Sequence, residues 1–331
     1  MGKVVLGFSG GVDSAVAAHR LLGAGEETLG LFLDVGVAGA REDAERTAAQ
    51  LGLPLTVRDA REELSRLVCQ PFLEGYLQGR TLNPCLLCNP VLKLRLLLDY
   101  ADEIGAERIA TGHYAMVQNG ALYEGRMPND QSYQLCRVTR AQLSRLTLSL
   151  GEMEKTQVRA EAEAAGIPIA HKPDSMDICF VPDHDYAAWL ERRALMPGPG
   201  DALFRGEVVG RHKGIHHFTV GQRWGELYHE RRLYVSEIRP RTNELVLALW
   251  DELFHTEVDA TEMNWLIDEP TAPFRARVRV RHTRWEMPEC TVTPAPDGVH
   301  ITADSPLRAP ARGQTAALYV GKRVVGAGEI L

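Results

Sequence analysis

The stretch from Lys3 to Gly25 constrains this chain most. An apolar run, KVVLGF, leads into SGGVDS and then into SAVAAHRLLGAG, whose small and apolar residues end on glycines. The apolar run reads as a buried strand, and the alanine-rich segment after it as a helix ending near Gly23 or Gly25. The alternation continues. Thr28 to Leu33 reads as a strand, REDAERTAAQLGL as a helix, Pro54 to Arg58 as a strand, VLKLRLLLDYADEIGA as a helix, and RIATGHYA as a strand leaving its sheet at Thr111 and Gly112. Strands alternating with helices build a parallel sheet, whose ligands bind beyond the carboxyl ends of the strands. The loops after Phe8, Leu33 and Ala110 are therefore where a site is expected.

The pattern changes at MPGPGDA, residues 196–202, with two prolines and two glycines in seven positions. Beyond it RLYVSEI and ELVLAL flank PRTN as a hairpin, DEPTAP at 268–273 makes a second break, and FRARVRVRH, ECTVTPA, GVHITAD, TAALYV and RVVGAGEI read as five strands of a small antiparallel barrel. The expected fold class is α/β, with three parts: a catalytic parallel-sheet domain at 1–198, a β-rich domain at 199–268, and a β-barrel at 269–331.

Charge and cysteine usage narrow the function. Lys and Arg number 37 against 44 Asp and Glu, a formal charge of −7, which argues against a general nucleic-acid coat and confines any RNA contact to patches. No run approaches the ~18–20 apolar residues of a membrane span, and MGKVVLGFSGG lacks a secretory h-region, so a cytoplasmic protein is expected. Six cysteines are too sparse for a disulfide scaffold, and Cys85 and Cys88 alone lie close in sequence.

SGGVDS stands where backbone N–H groups and a helix N-terminus can hold phosphate. Gly10 and Gly11 permit close approach, and Ser9 and Ser14 add hydroxyls. Asp13 repels phosphate unless it holds Mg²⁺ or caps the helix, and one of those roles is expected. The loop lacks the lysine of GxxxxGK[ST] and does not fit GxGxxG. It resembles the pyrophosphate-loop ATPases, which cleave ATP between the α- and β-phosphates to adenylate a carbonyl-type oxygen. That superfamily includes amide ligases as well as tRNA-thiolating enzymes.

GRTLNPCLLCNP places Cys85 and Cys88 just ahead of a long helix, where a thiolate is expected to have a lowered pKa. Cys179 lies in HKPDSMDICFVPDHDY, with Asp174 and Asp177 as acid or base candidates or simply solvated loop residues. Cys69, Cys136 and Cys290 are read as core. CxxC alone is compatible with half a zinc site or a redox pair; there is no second CxxC, and histidines elsewhere in the chain would have to complete four ligands.

Taken in order, SGGVDS, GRTLNPCLLCN, ATGHYA, NDQSYQL, LGEMEKTQVR, DSMDICFV and HHFTVGQRWG resemble the tRNA-specific 2-thiouridylases over nearly the whole chain. The resemblance implies an ATP-dependent enzyme that replaces the C2 oxygen of wobble uridine by sulfur. It makes Cys88 the nucleophile and Cys179 the carrier of a persulfide. It assigns ATP to Gly7, Phe8, Ser9, Gly10, Gly11, Val12, Asp13, Ser14, Leu33 and Gly112, with Mg²⁺ as companion. It assigns tRNA to Asn83, Pro84, Cys85, His113, Asn129, Asp130, Gln131, Arg281, His282 and Gln314. A sulfur-donor protein or sulfide source is implied, with Lys, Glu and Gln acceptors as the tRNAs. Many family members carry Asp where Cys85 stands. A third thiol with Cys88 and Cys179 makes a ligand set for a [4Fe–4S] cluster, the alternative to the persulfide route. An amide-forming ligase has no use for Cys88 and Cys179, and a non-enzymatic RNA-binding module has no use for the phosphate loop.

Two basic stretches remain. Arg275, Arg277, Arg279 and Arg281 recur at period two and are expected to project from one strand face, as a phosphate track or a solvated outer face. In HKGIHHFTVGQR, His212, His216 and His217 suggest metal by composition, but their spacing is read as RNA contact or packing.

Overall fold

The computed structural model describes residues 2–167, 169–170, 178–181, 184–282 and 286–331, apart from the side chain of Glu226. Two compact units are formed. The first comprises 1–68, 85–180 and 322–325, and the second 69–84, 181–321 and 326–331.

In the first unit, strands β1 (Lys3–Gly7), β2 (Glu27–Asp34), β3 (Leu55–Asp59) and β4 (Arg108–Thr111) are the expected ones. The hairpin β5 (Ala115–Gln118) and β6 (Ala121–Glu124) follows, and β7 (Leu146–Leu148) adds an edge that the sequence reading missed. The sheet order is β3-β2-β1-β4-β7 and every pairing is parallel. Val5 lies opposite Leu29 on one side and Ile109 on the other. With β1 central, Val4, Val5 and Leu6 are fully buried, as the unbroken apolar run requires.

Helix α1 (Val12–Gly23) packs Ala15, Val16, Ala17, Ala18 and Leu21 into the core shared with Phe8, Phe32 and Ala44. Helix α2 (Ala40–Leu51) covers the same face through Ala44 and Ala48. Small residues let both helices come close to the sheet. The long helix expected from Val91 begins instead as a π-helical turn, Asn89–Leu94, before continuing as the α-helix Arg95–Glu103. Pro90 in that turn has no N–H to give to an α-helical ladder.

In the second unit, β8 (Gly200–Phe204), β9 (Glu207–His212), β10 (Arg223–Tyr228), β11 (Arg231–Arg239) and β12 (Glu244–Ala248) form one sheet in the order β10-β11-β12-β8-β9. The hairpin predicted around PRTN is β11–β12, and Leu233, Val235, Leu245 and Leu247 bury its inner face with Trp224. The barrel holds the five expected strands, β14 (Phe274–Arg279), β15 (Glu289–Ala295), β16 (Gly298–Arg308), β17 (Thr315–Val320) and β18 (Arg323–Ile330), with β13 (Phe254–Trp265) as a sixth. β13 pairs with β16 and, at Ala260↔Ile330, with β18, so it has no free edge.

Candidate active site

At the carboxyl end of β1 the chain turns through Ser9, Gly10 and Gly11 into α1. Gly10 has φ +73°, and a Cβ there would stand 2.7 Å from the backbone of Ala44. Gly11 is the helix N-cap with φ −84°. Ser14 donates to the Gly11 carbonyl at 2.9 Å, and its hydroxyl lies 3.2 Å from that of Ser9. The loop thus presents its backbone donors from a fixed frame. Gly112, just after β4, backs the same frame. A Cβ on it would lie 2.9 Å from Asp13 C and Ser14 N. Leu33 is half-buried near the end of β2, beside β1.

Of its two expected roles, Asp13 does not take that of helix cap. No side chain caps α1, and the Asp13 carboxylate accepts from Lys155 Nζ at 2.6 and 2.8 Å and from the Tyr114 hydroxyl at 2.6 Å. Lys155 opens the helix Lys155–Ala164 and also lies over the Tyr114 ring, 5.6 Å from its centroid. The phosphate loop therefore does have a lysine, supplied from far along the chain. LGEMEKTQVR carried that signal, but only as part of the resemblance.

The loop 129–131 is clipped to the same place. Gln131 exchanges two hydrogen bonds with the Tyr114 backbone at 2.7 and 2.9 Å, and Asn129 Oδ1 accepts from Lys155 N at 3.3 Å. Asp130 is buried, and its carboxylate accepts from Gly125 N, Ser132 N and Ser132 Oγ at 2.8–3.0 Å. These bonds hold the loop's own shape.

Cys85 and Cys88 lie in the short helix Pro84–Cys88, the first half-buried and the second buried, while Cys179 is exposed. The expected lowering of their pKa values is reversed. Burial pushes the Cys88 thiol up to about 11 and raises Cys85 as well, with the Lys93 ammonium working against burial in both. Cys88 passes with helical backbone angles, φ −60° and ψ −42°, straight into the π-helical turn, so it lies inside a continuous helical run and no free helix N-terminus offsets the desolvation. Burial lowers Lys93 in turn, but the sulfurs of Cys88, Cys85 and Cys179 outweigh it and hold the ammonium above the ordinary lysine value. In the π-helical turn, with about 4.4 residues per turn against 3.6, position 93 comes back toward the face of position 88. His113, whose Nδ1 meets Thr111 Oγ1 at 2.8 Å, is pushed down to about 3 by burial and by Lys93. Lys93 and Lys155 are the residues that sequence reasoning missed. Lys93 was a lone lysine in an apolar helix with no spacing to mark it, and Lys155 stood inside LGEMEKTQVR without being singled out.

Cys136 and Cys290 are buried as expected, and Cys69 is half-buried. Asp174 and Asp177 lie outside the described residues.

Asn83, Pro84, Arg281, His282 and Gln314 belong to the second unit. Gln314 Nε2 donates to the Thr81 carbonyl at 2.6 Å, which brings it to the segment leading into half-buried Asn83 and buried Pro84. His282 is exposed. The arginine row does not project from one free face. Arg275 pairs with Asp304 at 2.9 Å, Arg277 donates to the Gly321 carbonyl, and Arg279 is buried with its guanidinium 5.3 Å from the Tyr319 ring centroid. Arg281 lies beyond the end of β14 and donates to the Ala309 carbonyl. Strand alternation fixes a face only while the strand lasts, and guanidinium forks near a barrel's end find carbonyls within the fold.

Comparison with known proteins joins these observations. Residues 2–183 match the family model described as tRNA methyl transferase HUP domain, residues 193–248 the tRNA methyl transferase PRC-barrel domain, and residues 255–330 the Aminomethyltransferase beta-barrel domain. The tRNA-specific 2-thiouridylase MnmA of Syntrophotalea carbinolica is 39% identical over 344 residues, covering 99% of this chain and 98% of that protein. The protein of the same name from Geobacter metallireducens is 37% identical, covering 99% and 96%. A solved 4-thiouridine synthetase–RNA complex with bound ATP is 21% identical, with a TM-score of 0.36, over 58% of this chain and 50% of that one. By this full-length similarity, the chain belongs to the tRNA-specific 2-thiouridylase family.

Proposed function

We propose that this protein is an ATP-dependent tRNA sulfurtransferase that converts the C2 oxygen of wobble uridine to sulfur. The observation that carries the reading is a single unit combining a glycine phosphate loop, with Lys155 on Asp13, and three thiols that act on one ammonium, Lys93. ATP, arriving with Mg²⁺, binds over Gly7–Ser14, Leu33 and Gly112. Lys155 lies where it offsets charge on the phosphates, and Asp13 serves to hold Lys155. The uridine C2 oxygen attacks the α-phosphate, pyrophosphate leaves, and the adenylated oxygen becomes a leaving group.

The terminal sulfur of a Cys179 persulfide, charged by a sulfur donor, attacks C2 and expels AMP. The Cys88 thiolate then attacks the Cys179 sulfur. The S–S bond to the base breaks, its electron pair stays with the C2 sulfur, and a Cys88–Cys179 disulfide forms. A dithiol reductant restores both thiols. Burial disfavours the free Cys88 thiolate and Lys93 favours it, so Lys93 is assigned to stabilise that anion. Asn83, Pro84, Cys85, His113, Asn129, Gln131, Arg281, His282 and Gln314 are proposed to meet the tRNA, the base being taken out of its stack, and Asp130 to shape the loop between its two neighbours. The division at 198 and 268 is kept as part of this proposal.

A second reading rests on Cys85, which joins Cys88 and Cys179 around Lys93. These three thiols would hold a [4Fe–4S] cluster, which would supply an iron able to take up the sulfur for transfer. Anaerobic purification with iron and acid-labile sulfide assays separates the two, since an active, iron-free protein eliminates the cluster.

The test of the main reading is incubation with ATP, Mg²⁺, a sulfur donor, reductant and unmodified tRNA. Thiouridine and AMP are expected in equal amounts, and none in Cys88→Ser or Cys179→Ser. Full activity of Cys179→Ser would reject the persulfide role.

A further inference from the structure

The three histidines of HKGIHHFTVGQR part company in the fold. His212 is buried, its Nε2 3.0 Å from the Asn243 carbonyl and its Nδ1 accepting from Gly214 N at 3.1 Å. His216 and His217 lie in the 3₁₀ turn Ile215–His217, and both Nε2 atoms approach one carboxylate oxygen, Oε1 of Glu191, at 3.0 and 3.1 Å. Glu191 is the last residue of the helix Tyr186–Glu191, 25 positions upstream of His216. All three donor atoms lie within 4.8 Å of one another, and this is the one such group among the described residues.

We propose that Glu191, His216 and His217 form a binding site for a divalent transition metal of the Zn²⁺ class. The donor set, two imidazole nitrogens and a carboxylate oxygen, is one that Zn²⁺ takes, and two ligands about 2.0–2.2 Å from a shared ion lie roughly 3–3.5 Å apart. The Nε2···Oε1 separations already meet that spacing.

The geometry is built in before any ion arrives. The His216 side chain is 2% exposed, and its Nδ1 has no hydrogen-bond partner among the described residues, so the ring is oriented by packing and by Nε2 alone. Gly214 makes room for it, since a Cβ there would come within 2.5 Å of His216 Cε1. The adjacent imidazoles lie 4.2 Å apart, centroid to centroid, and both Nε2 atoms reach the same Glu191 oxygen. His217 is 13% exposed and Glu191 46%, which gives an ion a route in and leaves a coordination position for water. The helix that carries Glu191 is itself held by aromatic contacts of Tyr186 with Tyr76 and of Trp189 with Phe72. A bound ion clips the turn 215–217 to this helix and stabilises the unit by mass action. It takes no part in sulfur transfer.

The test uses the full chain, stripped with EDTA and then titrated with Co²⁺ as a spectroscopic stand-in for Zn²⁺. In a background carrying Cys85→Ser, Cys88→Ser and Cys179→Ser, one equivalent of Co²⁺ is expected to give visible d–d absorption without thiolate charge transfer, and Zn²⁺ to displace it. Glu191→Gln and His217→Asn are each expected to weaken binding at least about tenfold. They are partly exposed, so circular dichroism in EDTA checks that each is folded, whatever His216→Asn does to packing. No d–d band in the background protein overturns the site, and so does an unchanged Co²⁺ affinity in folded Glu191→Gln. Either result leaves a hydrogen-bonded triad.

Discussion

Gly10 and Gly11 are indistinguishable as letters, yet the structure predicts very unequal losses on replacing them with alanine. At position 10 the backbone is left-handed, φ +73°, which costs an L-residue about 1–2 kcal/mol. The new methyl would also lie 2.7 Å from Ala44 Cα and N and 3.0 Å from its Cβ. None of these atoms can rotate away, because Ala44 is fully buried against the same core. Overpacking of this kind costs about 1–3 kcal/mol, so Gly10→Ala should lose about 2–5 kcal/mol in all. That is a large share of the ~5–15 kcal/mol by which a domain is stable. At position 11, φ is −84°, and the nearest atom to a methyl is Ser9 Oγ at 3.4 Å. The remaining cost is that of alanine at an N-cap, about 1 kcal/mol or less relative to glycine. Urea denaturation reads the two losses directly. A fluorescent ATP analogue then reports whether Gly11→Ala, though stable, holds phosphate less well. If the two variants lose equal stability, or if Gly10→Ala matches the parent, the assignment of Gly10 as the sterically locked position is wrong.

Other expectations concern the same site. Lys155→Met leaves the Asp13 carboxylate facing the phosphates without its cation, and a charge-assisted hydrogen bond contributes about 1.5–3 kcal/mol. ATP affinity should fall about tenfold or more, and Asp13→Asn added to Lys155→Met should recover part of it. Unchanged affinity in Lys155→Met would separate Lys155 from the phosphates. The Cys88 thiol titrates at about 11, above the ~8.5 of a free cysteine, so its alkylation should keep accelerating between those values where a free thiol has levelled off. Because the folded-state value is the raised one, the stability that Cys88 contributes is complete below the unfolded value and is lost as pH rises toward 11. Lys93→Met should move the alkylation midpoint higher still, and a midpoint at or below that of free cysteine contradicts the burial argument. Arg281→Ala should lower the stability of the second unit by about 1–3 kcal/mol, because it leaves the Ala309 carbonyl without its charged donor. Loss of tRNA affinity with no change in denaturation midpoint would show that the internal bond counts for nothing.

Much of the fold was legible along the chain. The run at Val4 to Leu6, the alanines of α1 and the PRTN turn each carry a local signal: a strand buried on both faces, a helix packed close, a tight connection. β7 and β13 were not legible. Leu146–Leu148 is too short to show a period, and β13 owes its place to pairing with two distant strands. The arginine period was real, but β14 ends at Arg279, and the forks turn to carbonyls and a tyrosine of their own unit.

By itself the sequence determined the order of strands and helices, the phosphate loop and the cysteines on which the proposed chemistry rests. These depend on residues adjacent in the chain, where turn chemistry and periodicity act. Tertiary structure alone decided that Asp13 holds Lys155 from 142 positions away, that Cys88 is buried and its thiol raised, that Lys93 acts on three sulfurs, and that Glu191 meets His216 and His217. Charge neutralisation, desolvation and ligand convergence depend on distance in space, and no spacing of letters encodes it.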